Sequence, residues 1–241
     1  MDAAVSLALA HHRPSHQVFI AWMLGAWHLF RSAPFRIFAL SLFPILVEAA
    51  LQVIPAAGIV LSKLLTPLAA FWVLAMLDRK ARTGTFSPAQ ARRLWSARFP
   101  QLLLTSLLMT GVFAFQLLVT IAIGGTEQAL ALALGNVAAL DLSRVELAAI
   151  LVSGLVPASL LMFVAPRVLL DGANVASAVG ESVRRAGHYR GSVALYILLF
   201  AVLIAGILWV PLLLLVLLPF ATCAGYAAYR DVFARTSTDQ S

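Results

Sequence analysis

The sequence predicts an all-α integral membrane protein: six transmembrane helices arranged as three helical hairpins, each preceded by an amphipathic surface helix. Three observations carry this expectation. Of 241 residues, 62% are hydrophobic and only 11% charged, with a mean hydropathy of +0.95; a soluble domain carries about 25% charged residues. The apolar residues gather in runs at 37–62, 64–77, 101–125, 147–166 and 192–229, interrupted inside only by Glu48. A run of roughly 18 or more reads as a membrane span, and the last run holds two. The 17 lysines and arginines flank these runs, so the net charge of +7 is a topology signal and no nucleic-acid partner is expected.

Taken in order, residues 1–14 open with an acid and contain only the short apolar stretch VSLALA. That is too short for a signal-peptide core, so the segment reads as a mobile tail. His12 and His16 have the i,i+4 spacing of a metal pair, but Pro14 between them argues against the helix it needs. Residues 15–235 form one membrane domain, and 236–241 a second tail. Within the domain, 16–31 places Val18, Trp22, Ala26 and Phe30 at helical spacing. A span at 35–54 turns near Pro55 into a span at 58–77. In the basic connection 78–100, Ser87, Pro88 and Gln90 predict a capped helix over 87–98.

The third span, 101–123, leads to the insertion 124–144, where Thr126 opens a short helix ending at Gly135-Asn136 and Ser143 with Glu146 forms a capping box for the fourth span, 145–166. In the second basic connection, 167–191, Asp171 is read as the cap of a helix over 173–186, with Val175, Val179 and Val183 on one face and Arg184 and Arg185 near its C-terminal end. Spans at 192–209 and 212–229 close the domain around Pro211. The helices at 16–31, 87–98 and 173–186 read as lying at the membrane surface, with ordinary helical extensions as the alternative.

The chain thus repeats one unit three times, at about 16–82, 87–172 and 173–235. Every lysine and arginine except Lys63 and Arg144 falls in the N-terminal segment, the two basic connections or the C-terminal segment. The positive-inside rule then makes both termini cytoplasmic and puts 124–144 outside.

Two features bear on function. Pro67, Pro157 and Pro219 lie ten to twelve residues before Arg79, Arg167 and Arg230, about 16 Å of helix and so near the bilayer midplane. A proline there removes a backbone hydrogen bond, and the freed carbonyl needs a partner. The three kinks ring a midplane cavity or gate on one reading; on the other they are repeat geometry with ordinary packing. Glu48 and Lys63 are equidistant from the predicted turn at Pro55-Ala56, about 10–12 Å below its tip. An unpaired charge there costs roughly 2–3 kcal/mol, so a Glu48–Lys63 pair is predicted. It reads either as an ion or proton relay with Gln52, or as an internal clasp.

Signals for an enzyme are absent. The histidines form no metal-ligand spacing, there is no phosphate loop, and neither metal nor cofactor is expected. Cys223, the single cysteine, sits in an apolar run and reads as a small hydrophobe. Asp171-Gly172-Ala173 resembles the start of the membrane CDP-alcohol transferase motif, but the required arginine and aspartates do not follow. The stretches GAWHLFRSAPFRIFAL (25–40), Pro55 with Leu65-Thr66-Pro67, APRVLLDGANVASAVGESVRRAGHYRG (165–191) and LLPFATCAGYAAYRDVF (217–233) resemble an uncharacterised proteobacterial family of six-span inner-membrane proteins. That family is near YciC-like proteins and the membrane domain of some glycerophosphodiester phosphodiesterases. The resemblance implies a bacterial inner-membrane location and, without the phosphodiesterase domain, no catalytic residues. The expectation is a non-catalytic polytopic protein acting through membrane lipids, other membrane proteins or itself as a homo-oligomer. Arg92, Arg93, Arg98, Arg184 and Arg185 are the expected contacts to anionic headgroups, at ~1 kcal/mol each. The alternative is a small transporter or channel with a midplane cavity near the kinks and Glu48, distinguished by a polar path past Glu48, Gln52 and Gln116.

Overall fold

A computed structural model describes residues 13–233. The tail expected over 1–14 falls outside them save for Arg13 and Pro14, and the tail over 236–241 falls outside altogether. Among the described residues every regular element is helical: α1 (Ser15–Arg31), α2 (Pro34–Gln52), α3 (Gly58–Thr83), α4 (Pro88–Ala97), α5 (Phe99–Leu134), α6 (Arg144–Ser153), α7 (Leu155–Leu160), α8 (Val164–Pro166, continued by a π turn over Arg167–Asp171), α9 (Val175–His188), α10 (Arg190–Ile207) and α11 (Leu213–Phe233), with a 3-10 turn at Val137–Ala139. Five of them, α2, α3, α5, α10 and α11, are long and apolar enough to cross a membrane. A sixth span results if the pair Arg144–Leu160 and Val164–Asp171, bent by 41°, is counted as one.

The predicted spans and helices are thus present, with differences that have local causes. The third span runs on to Leu134 because only Gly125 interrupts it (φ 86°, ψ 176°), a conformation that a Cβ disfavours. The fourth is broken after Leu160 instead of continuous. Ser143 forms the expected box: its backbone N–H donates to Glu146 Oε2 at 2.7 Å and its Oγ accepts from Glu146 N at 3.3 Å. Ser87 occupies the N-cap position of α4 but makes no side-chain cap bond, so the Ser87–Gln90 box does not form. Its ψ of 92° differs from the 160° of Ser143, which turns the hydroxyl toward the helix. Asn174, with ψ 156°, caps α9 by accepting from Ser177 N at 2.8 Å, in place of Asp171.

The helices preceding the odd spans are packed into the bundle. Val18, Trp22 and Ala26 of α1 are buried as spaced in the sequence, against α10 and α11. Gly25 permits this approach, since a Cβ there would lie 3.1 Å from Ala227 Cβ. Trp22 Nε1 donates to Asp231 Oδ2 at 3.2 Å, and Ser192 Oγ to the Ser15 carbonyl at 2.8 Å. On α9 the buried face is Val175, Ala178, Ser182 and Ala186, while Val183 is exposed. The predicted stripe of Val179 and Val183 is therefore displaced by one step. Small residues face the neighbouring helix because they let backbones approach, and the larger valines are left outside. Cys223 is buried in the core beside Ala224 and Phe200, as a small hydrophobe. Along the long helices Leu46, Leu107, Leu118, Leu198, Val202 and Val216 point outward with no protein partner covering them.

Candidate functional site

The α2–α3 hairpin brings Glu48 and Lys63 together. The turn between them includes Ala56 at φ 61°, and Lys63 Nζ donates to Glu48 Oε1. Gln52, one helical turn from Glu48, donates its Nε2–H to the same oxygen at 3.0 Å. The ammonium also lies 5.7 Å from the Phe113 ring centroid, a cation–π distance. The cluster is compact, with donors facing one carboxylate and an aromatic ring on its far side.

Each in-helix proline is accommodated differently. Pro67 lacks the N–H that would bond the Lys63 carbonyl, and Thr110 Oγ1 of α5 donates to that carbonyl at 3.2 Å. Ser106 Oγ donates to the next one, Leu64. Near Pro157 the chain breaks instead, and the buried Ser182 of α9 bridges the gap. Its Oγ donates to the Leu160 carbonyl at 2.7 Å and accepts from Phe163 N at 3.2 Å. Gln116 steadies the same span by donating to the Leu151 carbonyl at 3.1 Å. Pro219 stays inside α11, and Pro44, which the sequence pattern did not single out, stays inside α2.

A polar network that the sequence reading did not anticipate joins the basic ends of the helices. Tyr226 Oη donates to Asp78 Oδ1 at 2.9 Å, and Arg82 Nε donates to the same oxygen at 2.8 Å. Arg230 Nη1 donates to Tyr226 Oη at 3.1 Å. Tyr229 Oη donates to Asp171 Oδ1 at 2.7 Å, while Arg167 pairs with Asp171 at 2.6 Å and with Glu181 at 2.7 Å. Arg167 and Arg185 also lie 4.9 and 5.6 Å from the Phe233 ring centroid. The one sequence signal for this network is that an aspartate ends each even span, at Asp78, Asp171 and Asp231. Its carboxylates are occupied by arginine and tyrosine, and among the described residues no group of three or more His, Cys, Asp or Glu is placed to hold a metal. The arrangement clamps α3, α8, α9 and α11 to one another.

The arginines expected at headgroups divide into two sets. Arg92, Arg93 and Arg184 are exposed. Arg98 is turned inward, its Nη1 donating to the Val168 carbonyl at 3.4 Å. A Cβ on Gly172 would come within 2.2 Å of that nitrogen. Arg185 is half-buried against Phe233. Two cavities lie at the same end. One, of about 920 Å³, runs between α2, α3 and α4 and has Arg36 and Arg92 in its wall. The other, of about 680 Å³, is lined by His28, Lys80, Tyr226, Arg230 and Asp231 among others. Neither is lined by Glu48, Lys63, Pro67, Pro157 or Pro219. Comparison with protein families, curated proteins and solved structures gives no match to this chain.

Proposed function

We infer that the chain is a six-span protein of the bacterial inner membrane, with both termini in the cytoplasm, that works without catalysis through contacts with lipids and with other membrane proteins or further copies of itself. The observation that carries this reading is the combination of outward-facing apolar side chains along five long helices with uncompensated arginines at one end. Water would disfavour the first and hydrocarbon the second, so a bilayer with an anionic surface fits both. The resemblance to the inner-membrane family supports the location, and the distribution of arginine supports the orientation. The sixth span is then the bent α6–α8 segment, whose broken backbone is tolerable in a membrane because Ser182 satisfies it.

A transporter would need water to reach Glu48, and both described cavities lie elsewhere. The test is accessibility labelling in intact cells. Cys223 is the only native cysteine and is buried, so an introduced one dominates the signal. A cysteine at the exposed Thr85 should react only after the inner membrane is permeabilised, and one at Asn136 without permeabilisation. The reverse pattern overturns the orientation. Protection of both sites in intact and permeabilised cells alike overturns the spanning arrangement.

A further inference from the structure

We propose that the groove between α2, α3 and α4 is a binding site for one anionic phospholipid, its phosphate held by Arg36 and Arg92 and an acyl chain lying along Phe43, Leu68 and Trp72. This rests on the reading of the chain as a lipid-contacting membrane protein and assigns that contact to one place. Arg36 and Arg92 line the same groove, and neither has a hydrogen bond or ion pair among the described residues. No aspartate or glutamate lines it, so nothing in the wall neutralises the two guanidinium groups. Such planar forks suit a phosphate better than a single diffuse charge.

Away from the arginines the wall is almost wholly apolar. Its polar side-chain groups there are the indoles of Trp72 and Trp95, and Trp95 Nε1 already donates to the Leu68 carbonyl at 3.0 Å. A protein segment entering the groove would bring backbone N–H and C=O groups with few partners, whereas a hydrocarbon chain brings none. The length also fits. From Arg36 to Phe43 along α2 is about 10 Å of helix, and from Met76 to Leu68 along α3 about 12 Å. The hydrocarbon of one leaflet is about 15 Å deep. The arginines mark one end of this path, as headgroup contacts should, and the volume of about 920 Å³ is sufficient for a headgroup and part of a chain.

The two tryptophans provide the readout. The full chain carrying Trp27→Phe and Trp209→Phe keeps Trp72, Trp95 and the buried Trp22 as its indoles. It is reconstituted in phosphatidylcholine bilayers doped with phosphatidylglycerol brominated on one acyl chain, and fluorescence quenching is titrated against brominated phosphatidylcholine. Quenching should occur at a lower mole fraction of the anionic lipid. Arg36→Gln or Arg92→Gln should weaken that preference about fivefold each and the pair roughly thirtyfold, the factor carried by basic residues near anionic headgroups. Because both side chains are exposed and unpartnered, circular dichroism should be unchanged in these variants, and Arg36→Lys with Arg92→Lys should retain most of the preference. Arg93→Gln, on α4 but outside the groove, should have no effect. Anionic preference that survives Arg36→Gln with Arg92→Gln overturns the groove assignment while leaving the lipid reading intact; absence of any anionic preference removes both. Displacement of the brominated lipid by glycerol phosphate at equal concentration, or quenching abolished by association of two differently tagged copies, also overturns the proposal.

Discussion

Replacing Glu48 with Gln should destabilise the protein, and replacing Lys63 as well should restore part of the loss. The magnitude follows from the hairpin. Both residues sit about 10–12 Å of helix from the turn, with side chains 21% and 33% exposed for Glu48 and Lys63. An unpaired charge at a helix centre costs about 2.5–3.5 kcal/mol, less toward the interface. After Glu48→Gln, Lys63 keeps the Phe113 ring at 5.7 Å and a four-carbon stem that reaches toward water, so the expected loss is about 1 kcal/mol. After Lys63→Gln, Glu48 keeps only the Gln52 amide at 3.0 Å and a short stem, so the expected loss is about 2 kcal/mol. Independent effects would sum to about 3 kcal/mol; a coupled pair leaves the double variant near 1 kcal/mol, a coupling of about 2 kcal/mol. Reversible unfolding in mixed SDS and nonionic micelles, followed by circular dichroism for all four proteins, measures this. A double variant that loses the full sum, or a Lys63→Gln variant as stable as the parent, would refute the reasoning.

Other consequences can be checked in the same assay. Ser182→Ala leaves the Leu160 carbonyl and the Phe163 N–H without their buried partner and should cost about 1–3 kcal/mol, with hydrogen exchange rising first at 160–164. Gly172→Ala should cost at least about 1 kcal/mol through its φ of 77° and its clash with Arg98; adding Arg98→Ala should relieve the clash but not the backbone term. Tyr229→Phe removes a hydrogen bond to the Asp171 carboxylate and should lose about 1.5–3 kcal/mol, while a loss within error would show that Arg167 alone holds Asp171. Thr110→Val should cost about 0.5–1.5 kcal/mol in the parent protein and nearly nothing beside Pro67→Ala, where the helix regains its own donor to the Lys63 carbonyl.

What could be read from the sequence was whatever depends on composition and local spacing. Hydropathy placed the long helices because proline and glycine set their ends, as Pro34 does for α2 and Gly58 for α3. The Glu48–Lys63 contact was legible because a hairpin turn fixes which residues share a depth, and only two charges shared that one. The headgroup arginines were legible only as a group: charge and position are the same for Arg92 and Arg98, and only Gly172 and the Val168 carbonyl, over seventy residues away in sequence from Arg98, turn one of them inward. Long separation hid the basic-end network as well. Tyr226 and Asp78 are 148 positions apart, and nothing local to either marks the other as its partner.

The three prolines show how far a repeat in sequence carries into structure. Their spacing to the following arginine is nearly constant, so the sequence gives them one reading. Each leaves the same defect, a helix carbonyl without its donor. The remedy depends on what the neighbouring helix offers. Beside Pro67, α5 presents Ser106 and Thr110, the carbonyls are taken up, and α3 continues unbroken for 26 residues. Beyond Pro157 the helix instead opens by three residues and bends 41°, and α9 must lie close enough for one hydroxyl to serve both sides of the gap. That requirement accounts for the face α9 buries: Ser182 has to point inward, and Ala178 and Ala186, one turn to either side, follow it. A proline shared by repeats therefore fixes where a backbone defect arises, and the side chains of the adjacent helix determine whether it becomes a kink, a break or an anchoring point.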